Sequence, residues 1–155
     1  MRKNMKISKS KIREIRRSLL RLFSTAAKNE HFEDGIETQF SKDLMQIVQK
    51  EKQPAIDILR DLIPIGKLSI EVGSEALRWI GRMDDPETHE GRRRLLEVCL
   101  ISRFARIRDG ALLGLCSMND KESIDALRFA FKYEEIKELK EDMQQAILDF
   151  ELELA

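Results

Sequence analysis

Residues 107–120, IRDGALLGLCSMND, hold the side chains that could most directly perform covalent chemistry. Cys116 follows Gly114 by two positions, as in the sharp turn that presents a catalytic serine or cysteine. That turn also needs a preceding strand and a second glycine, and Met118 occupies the glycine position. We therefore predict that Cys116 is a packed core thiol and that the chain carries no catalytic residue.

Other site chemistries also lack their motifs. Gly110 and Gly114 are not followed by the Lys-Ser or Lys-Thr pair of a phosphate-binding loop. No metal-site spacing links the histidines and cysteines, which are His31, His89, Cys99 and Cys116. Asp84 and Asp85 precede a predicted helix, and we expect them to cap it. The sequence therefore predicts neither a cofactor nor a metal ion.

Basic residues give a stronger signal, because their distribution is uneven on a chain of zero formal net charge. Residues 1–28 hold ten Lys or Arg and one acid, whereas residues 134–155 hold eight acids and two lysines. Such asymmetry is typical of chains that bind charged partners or copies of themselves. The N-terminal cations are either a solvated surface or a site for an anionic partner, formed by Lys9, Arg13, Arg16, Arg17 and Arg21.

A second basic group contains eight arginines and no lysine between positions 78 and 108. Guanidinium groups bind carboxylate or phosphate in a planar, two-pronged geometry. For this arginine set we leave two interpretations open, pairing within the chain and binding of a partner.

Helical periodicity positions these side chains. Apolar residues recur at spacings of three and four, which predicts eight short helices and no strand. The expected bounds are residues 8–28, 37–50, 54–62, 70–83, 87–104, 107–118, 121–133 and 137–153. Asp34-Gly35 is the predicted turn after the first helix. We expect one domain over residues 1–155, with a basic capping helix and turn at 1–36 and helical repeats at 37–155.

The apolar stripes predict where each helix lies. The first and last helices carry one stripe each, from Ile12 to Ala26 and from Leu139 to Leu154, which is typical of helices at the ends of a stack. The fifth helix is apolar nearly all round, up to Ile101 and Phe104, as expected of a helix in the middle.

An internal repeat supports this stack. A shift of 35 residues brings residues 72–87 onto residues 107–122, with Ala76 on Ala111, Met83 on Met118 and Asp85 on Asp120. In such a repeat, Gly110 and Gly114 indicate points where two helices approach closely.

The stretch 107–127 resembles a HEAT repeat, especially the short type of phycobilisome-lyase-like proteins. The matching positions are Ile107, Arg108, Ala111, Leu115, Asp120, Glu122, Ile124, Ala126 and Leu127. The copy at 72–87 departs from the pattern at Gly73 and Trp79. The resemblance implies an α-α superhelix of the HEAT/armadillo type, built from antiparallel helix pairs, and it implies no single activity. It also implies an ion pair of Arg108 with Asp120, as part of a ladder between repeats.

These observations favour a cytoplasmic, non-enzymatic scaffold or adaptor that binds a protein through the second helices of its repeats. The residues we expect at that surface are Arg93, Arg94, Glu97, Arg128, Lys132 and Tyr133. The alternative is a nucleic-acid-binding accessory protein that uses the basic first helix and the arginine set. Self-association is also open, and insertion into a membrane is not expected, because no apolar run is long enough.

Overall fold

The structure, a computed structural model, describes residues 6–33 and 35–155. Arg2 and Lys3 of the basic cap, and Asp34 of its predicted turn, lie outside them. Every element in the described residues is helical, which confirms the all-α prediction. The α-helices are α1 Lys9–Asn29, α2 Gln39–Glu51, α3 Gln53–Leu62, α4 Ile70–Arg82, α5 His89–Cys99, α6 Ala105–Met118, α7 Ile124–Tyr133 and α8 Lys137–Leu154, with a 3₁₀ turn at Lys121–Ser123.

Local signals account for the helix ends. The Ser8 hydroxyl accepts a hydrogen bond from the Lys11 N–H at 3.1 Å and caps α1. Thr38 and Ser41 form a reciprocal capping box at the start of α2. Asn119 ends α6 in the left-handed conformation, at φ 55°.

The helices pack in two series. In the first, α4 contacts α2 on one side and α6 on the other, and α6 in turn contacts α8. In the second, α3 contacts α5. Ion pairs show that consecutive helices are antiparallel. Lys11 at the start of α1 pairs with Glu51 at the end of α2, and Arg108 at the start of α6 pairs with Glu134, which follows the end of α7.

The closest helix contact in this arrangement is between α4 and α6. A Cβ atom built on Gly81 would lie 2.1 Å from the carbonyl oxygen of Gly114. Cβ atoms on Gly110 and Gly114 would lie 2.6 Å from the Ser74 oxygen and 2.5 Å from the Leu77 oxygen. Any side chain here would collide with backbone, so the predicted close approach at Gly110 and Gly114 is confirmed.

Three sequence predictions about α5 and the cysteine of α6 are wrong. The fifth helix ends at Cys99 rather than at residue 104, because the N–H groups of Ile101 and Ser102 bond three residues back and tighten the last turn. Ile101 is consequently exposed. Cys116 is exposed, whereas Cys99 is buried as expected. Gly114 faces α4, and Cys116 lies about 200° further round the helix and points away.

The stripes and the caps also need correction. Ile12 and Leu154 are exposed at the free ends of their stripes, although the other residues of each stripe are mostly buried. Thr88, rather than Asp84 or Asp85, occupies the position that caps α5. Asp85 closes the preceding turn, because its carboxylate accepts the Glu87 N–H at 3.3 Å.

The α4–α6 contact predicts a large difference between two glycine substitutions. Gly81→Ala places a methyl group against the Gly114 backbone, and we expect the free energy of unfolding to fall by about 3 kcal/mol. Gly91→Ala is the matched control, because its Cβ would meet only the flexible end of the Gln53 side chain. Alanine favours helix over glycine by about 1 kcal/mol, so this control should be neutral or stabilising. Urea denaturation measures both variants, and equal losses of stability would contradict the close contact.

Candidate functional site

The predicted partner-binding residues of α5 already have partners within the chain. Arg93 donates to Glu97 at 2.8 Å and lies 3.3 Å from Asp120. Burial raises the pKa of Glu97, although the charges of Arg93 and Arg94 act in the opposite direction. Arg94 pairs with Glu90 at 2.9 Å on an exposed part of the helix. Arg93 and Glu97 are therefore half-buried structural groups, and only Arg94 stands out in solvent.

The predicted residues of α7 are more accessible. Arg128 pairs with Glu151 of α8 at 3.0 Å and remains exposed. Lys132 and Tyr133 are also exposed, and the Tyr133 ring lies 5.1 Å from the ring of Phe129. The predicted exposure of Tyr133 is confirmed, and the structure places these three predicted residues on one helix.

Arg92 is buried and saturated with hydrogen bonds. Its side chain is 1% exposed. The guanidinium donates to the carbonyl oxygens of Ile80, Met83 and Asp85, each at 2.9 Å, and to the Thr88 hydroxyl at 2.9 Å. Burial lowers the pKa of Arg92. This arginine therefore closes the end of α4 and is not available to a partner.

The predicted pair between Arg108 and Asp120 is wrong. Arg108 lies in the first turn of α6 and binds both oxygens of Glu134, at 2.7 and 2.9 Å. Asp120 follows the other end of α6, about 15 Å away along the helix. Its carboxylate accepts the Glu122 N–H at 3.0 Å and lies 2.8 Å from His89 Nε2. Burial opposes ionisation of Asp120, but these contacts and the charge of Arg93 lower its pKa overall.

The N-terminal cations differ from the arginine set. In the described residues, no ion pair or side-chain hydrogen bond engages the outward side chains of Lys9, Arg13, Arg16, Arg17 and Arg21. We call these five residues the basic face of α1. Arg16 is half-buried and the other four are exposed. The basic face is therefore a concentration of positive charge that nothing in the described chain neutralises by contact.

An apolar surface that was not predicted from the sequence lies on the loops after α3, α5 and α7. Each loop exposes one isoleucine: Ile65 is 56% exposed, Ile101 is 56% exposed and Ile136 is 41% exposed. We call these three residues the isoleucine edge. Exposed apolar side chains are ordinary when scattered, whereas a row of them indicates an interaction surface.

Hydrogen bonds hold the three loops together. The Ser102 hydroxyl donates to the Pro64 carbonyl at 2.6 Å and joins the first loop to the second. Arg108 donates to the Ser102 carbonyl at 3.0 Å and to Glu134, which joins the second loop to the third. Glu134 also accepts the Ile136 N–H at 3.2 Å. The isoleucine edge is therefore a fixed platform rather than three independent loops.

A cleft of about 310 Å³ opens between the second and third loops. Ile101 and Tyr133 contribute apolar surface to its lining, and Arg103, Arg108 and Glu134 contribute charge. Arg108 and Glu134 bind each other, and the Arg103 guanidinium lies 4.7 Å from the centre of the Phe104 ring, so the cleft combines apolar contacts with charge.

The spacing of the isoleucines was the available signal for this surface. Ile65, Ile101 and Ile136 are separated by 36 and 35 residues, which matches the period of the internal repeat. With Ile101 predicted inside the fifth helix, the three loops do not stand out in the sequence, and this surface was not predicted.

The two thiols are not activated. Burial raises the pKa of Cys99 to about 12. Partial burial and the carboxylates of Asp149 and Asp142 raise the pKa of Cys116. A protonated thiol is a weak nucleophile.

No family model, curated protein or solved structure matches this chain. No helix in the described part of the chain is long and apolar enough to cross a membrane. The case for a function therefore rests on the surfaces described above.

The ion pair beneath the isoleucine edge predicts a specific dependence of stability on pH. Burial alone would raise the pKa of Glu134, but hydrogen bonds from Arg108 and from the Ile136 N–H lower it overall. A lowered folded-state pKa stabilises the protein above the ordinary glutamate pKa, and this stability is lost as pH falls through the folded-state value. Glu134→Gln should therefore cost about 2 kcal/mol near pH 7, and the cost should shrink as pH falls towards about 3.

The exposed pair of Arg94 with Glu90 provides the control. Both pairs join an arginine to a glutamate at similar distances, but this one is solvated. Glu90→Gln should change stability by less than about 0.5 kcal/mol at any pH. Thermal denaturation across the pH range measures both variants. A Glu134→Gln cost that does not depend on pH would contradict the assigned role of this pair.

Proposed function

We propose that this chain is a non-enzymatic interaction scaffold, a HEAT-like α-solenoid of the cytoplasm that binds a protein partner. The partner contacts the second helices of the repeats, α3, α5 and α7, and above all the loops that follow them. The isoleucine edge is the single observation that carries this proposal.

Two features support the solenoid. The helices contact each other in two series, α2, α4, α6 and α8 in one and α3 and α5 in the other. Equivalent positions of the 35-residue repeat also make equivalent hydrogen bonds. The carboxylates of Asp85 and Asp120 each accept a hydrogen bond from the backbone N–H two residues later. A stack of similar units accounts for both.

The edge favours a protein partner because its contacts are apolar and repeated. Adjacent packed helices lie about 10 Å apart, so three loops span about 20 Å. A polyproline II chain rises about 3.1 Å per residue and has three residues per turn, so about seven residues would cross the edge with an apolar side chain facing it at every third position. The platform is already ordered by the contacts of Ser102 and Arg108, so binding costs little conformational entropy.

The nucleic-acid alternative has weaker support. Groups within the chain accept hydrogen bonds from three members of the arginine set, Arg92, Arg93 and Arg108. A phosphate would have to displace those groups before it could bind these arginines. Arg78 also has a partner. Within the described residues, the basic face of α1 remains without ion pairs.

A paired substitution tests the proposed surface. Ile65→Ser with Ile101→Ser removes two apolar contacts from the edge, and each should weaken a partner's affinity about tenfold. The control is Ile36→Ser with Leu113→Ser, which removes two exposed apolar residues away from the edge. Neither pair should change stability by more than about 1 kcal/mol, because all four side chains are exposed.

Affinity capture from a cell lysate, followed by titration with the purified captured protein, compares wild type with both variants. We expect wild type and control to retain the same protein and the edge variant to lose it. Equal retention by the edge variant, or no specific capture by wild type, would contradict the proposal.

A further inference from the structure

The basic face of α1 needs a ligand that matches both its charge and its shape. Its helix is 21 residues long, or about 30 Å. Leu20 is exposed among the cations, and Ile12 is exposed at their border. The face is therefore a basic stripe with apolar side chains within it, rather than a uniformly charged surface.

The outward face of α8 has the complementary character. Leu148 is 45% exposed and Leu152 is 75% exposed, one turn apart on the same side of the helix. Exposed carboxylates accompany them, from Glu141, Asp142 and Asp149. This helix is 18 residues long, or about 27 Å, which is close to the length of α1.

The two faces lie at opposite ends of the packing order. Helix α1 contacts α2, α3 and α4, whereas α8 contacts α7 and α6. One chain therefore presents its basic face and its acidic face to different neighbours.

We propose that the outward face of α8 in one copy of this chain binds the basic face of α1 in a second copy. Leu148 and Leu152 pack beside Leu20, while the carboxylates of α8 contact Arg13, Arg17 and Arg21. The contact is heterologous, so successive copies form a ring or an open chain. The inference uses a different surface from the isoleucine edge and does not depend on the proposed partner.

The size of the contact bounds its strength. Two helices of this length that pack along one face bury less area than the roughly 1,200 Å² of a stable complex. We therefore expect association at protein concentrations of about 100 µM and strong sensitivity to salt, because much of the attraction is between exposed charges.

Sedimentation equilibrium tests the association directly. At about 100 µM protein and about 50 mM salt, the average mass should rise above the 18.1 kDa of one chain. At about 1 M salt, where the Debye length is about 3 Å, it should return to that of one chain. A mass of one chain under both conditions would overturn the proposal.

Reciprocal charge reversal identifies the faces. The first variant is Arg13→Glu/Arg17→Glu/Arg21→Glu, and the second is Glu141→Lys/Asp142→Lys/Asp149→Lys. Each variant alone pairs like charges and should remain a single chain. An equal mixture restores opposite charges at every contact and should associate as wild type does. This rescue also shows that both variants fold.

A third variant controls for net charge. Lys42→Glu/Arg60→Glu/Arg106→Glu reverses three exposed charges outside α1 and α8, and it should associate like wild type. Failure of the mixture to associate, or equal loss in this control, would overturn the assigned contact. Binding of a short DNA duplex through Arg13, Arg17 and Arg21, with no self-association, would assign the basic face to nucleic acid instead.

Discussion

The close contact between α4 and α6 is the constraint on which the rest of the structure depends. Gly81 lies against the backbone of Gly114, and Gly110 lies against the Ser74 carbonyl. At these positions hydrogen is the only substituent that fits, and it allows Cα–H groups to face carbonyl oxygens directly. The contact has no room for adjustment by side-chain rotation, so it sets the spacing and the orientation of the two helices.

The positions of the loops follow from that contact. The contact fixes the orientation of α6. In that orientation Arg108 lies beside the end of α7, and Cys116 faces solvent. Arg108 then joins the loop after α5 to the loop after α7 through Glu134, and Ser102 joins the loop after α5 to the loop after α3. The three loops that carry the exposed isoleucines are joined to each other as a result. A backbone contact in one helix series thus organises the proposed binding surface on the other.

The sequence predicted the elements and this contact well, because both depend on local patterns. Apolar spacing gave eight helices, and small residues at Gly110 and Gly114 indicated the close approach. The end of α5 could not be predicted in this way, because the apolar pattern continues to Phe104 although the N–H groups of Ile101 and Ser102 bond only three residues back. The Ser102 hydroxyl also bonds to Pro64, which is distant in sequence. The partner of Arg108 could not be predicted either, because Asp120 and Glu134 both carry suitable carboxylates. Only the antiparallel packing of α6 and α7 brings Glu134 to Arg108.

The most direct measurement is a nuclear Overhauser experiment on the protein in solution. We predict strong cross-peaks between the Hα protons of Gly81 and those of Gly114, and between the Hα proton of Ser74 and the Hα protons of Gly110, because each pair lies in backbone contact. The absence of cross-peaks between these two helices would mean that α4 and α6 are separated by side chains. That result would contradict the account, because the orientation of α6 and the row of isoleucines would then lose their physical basis.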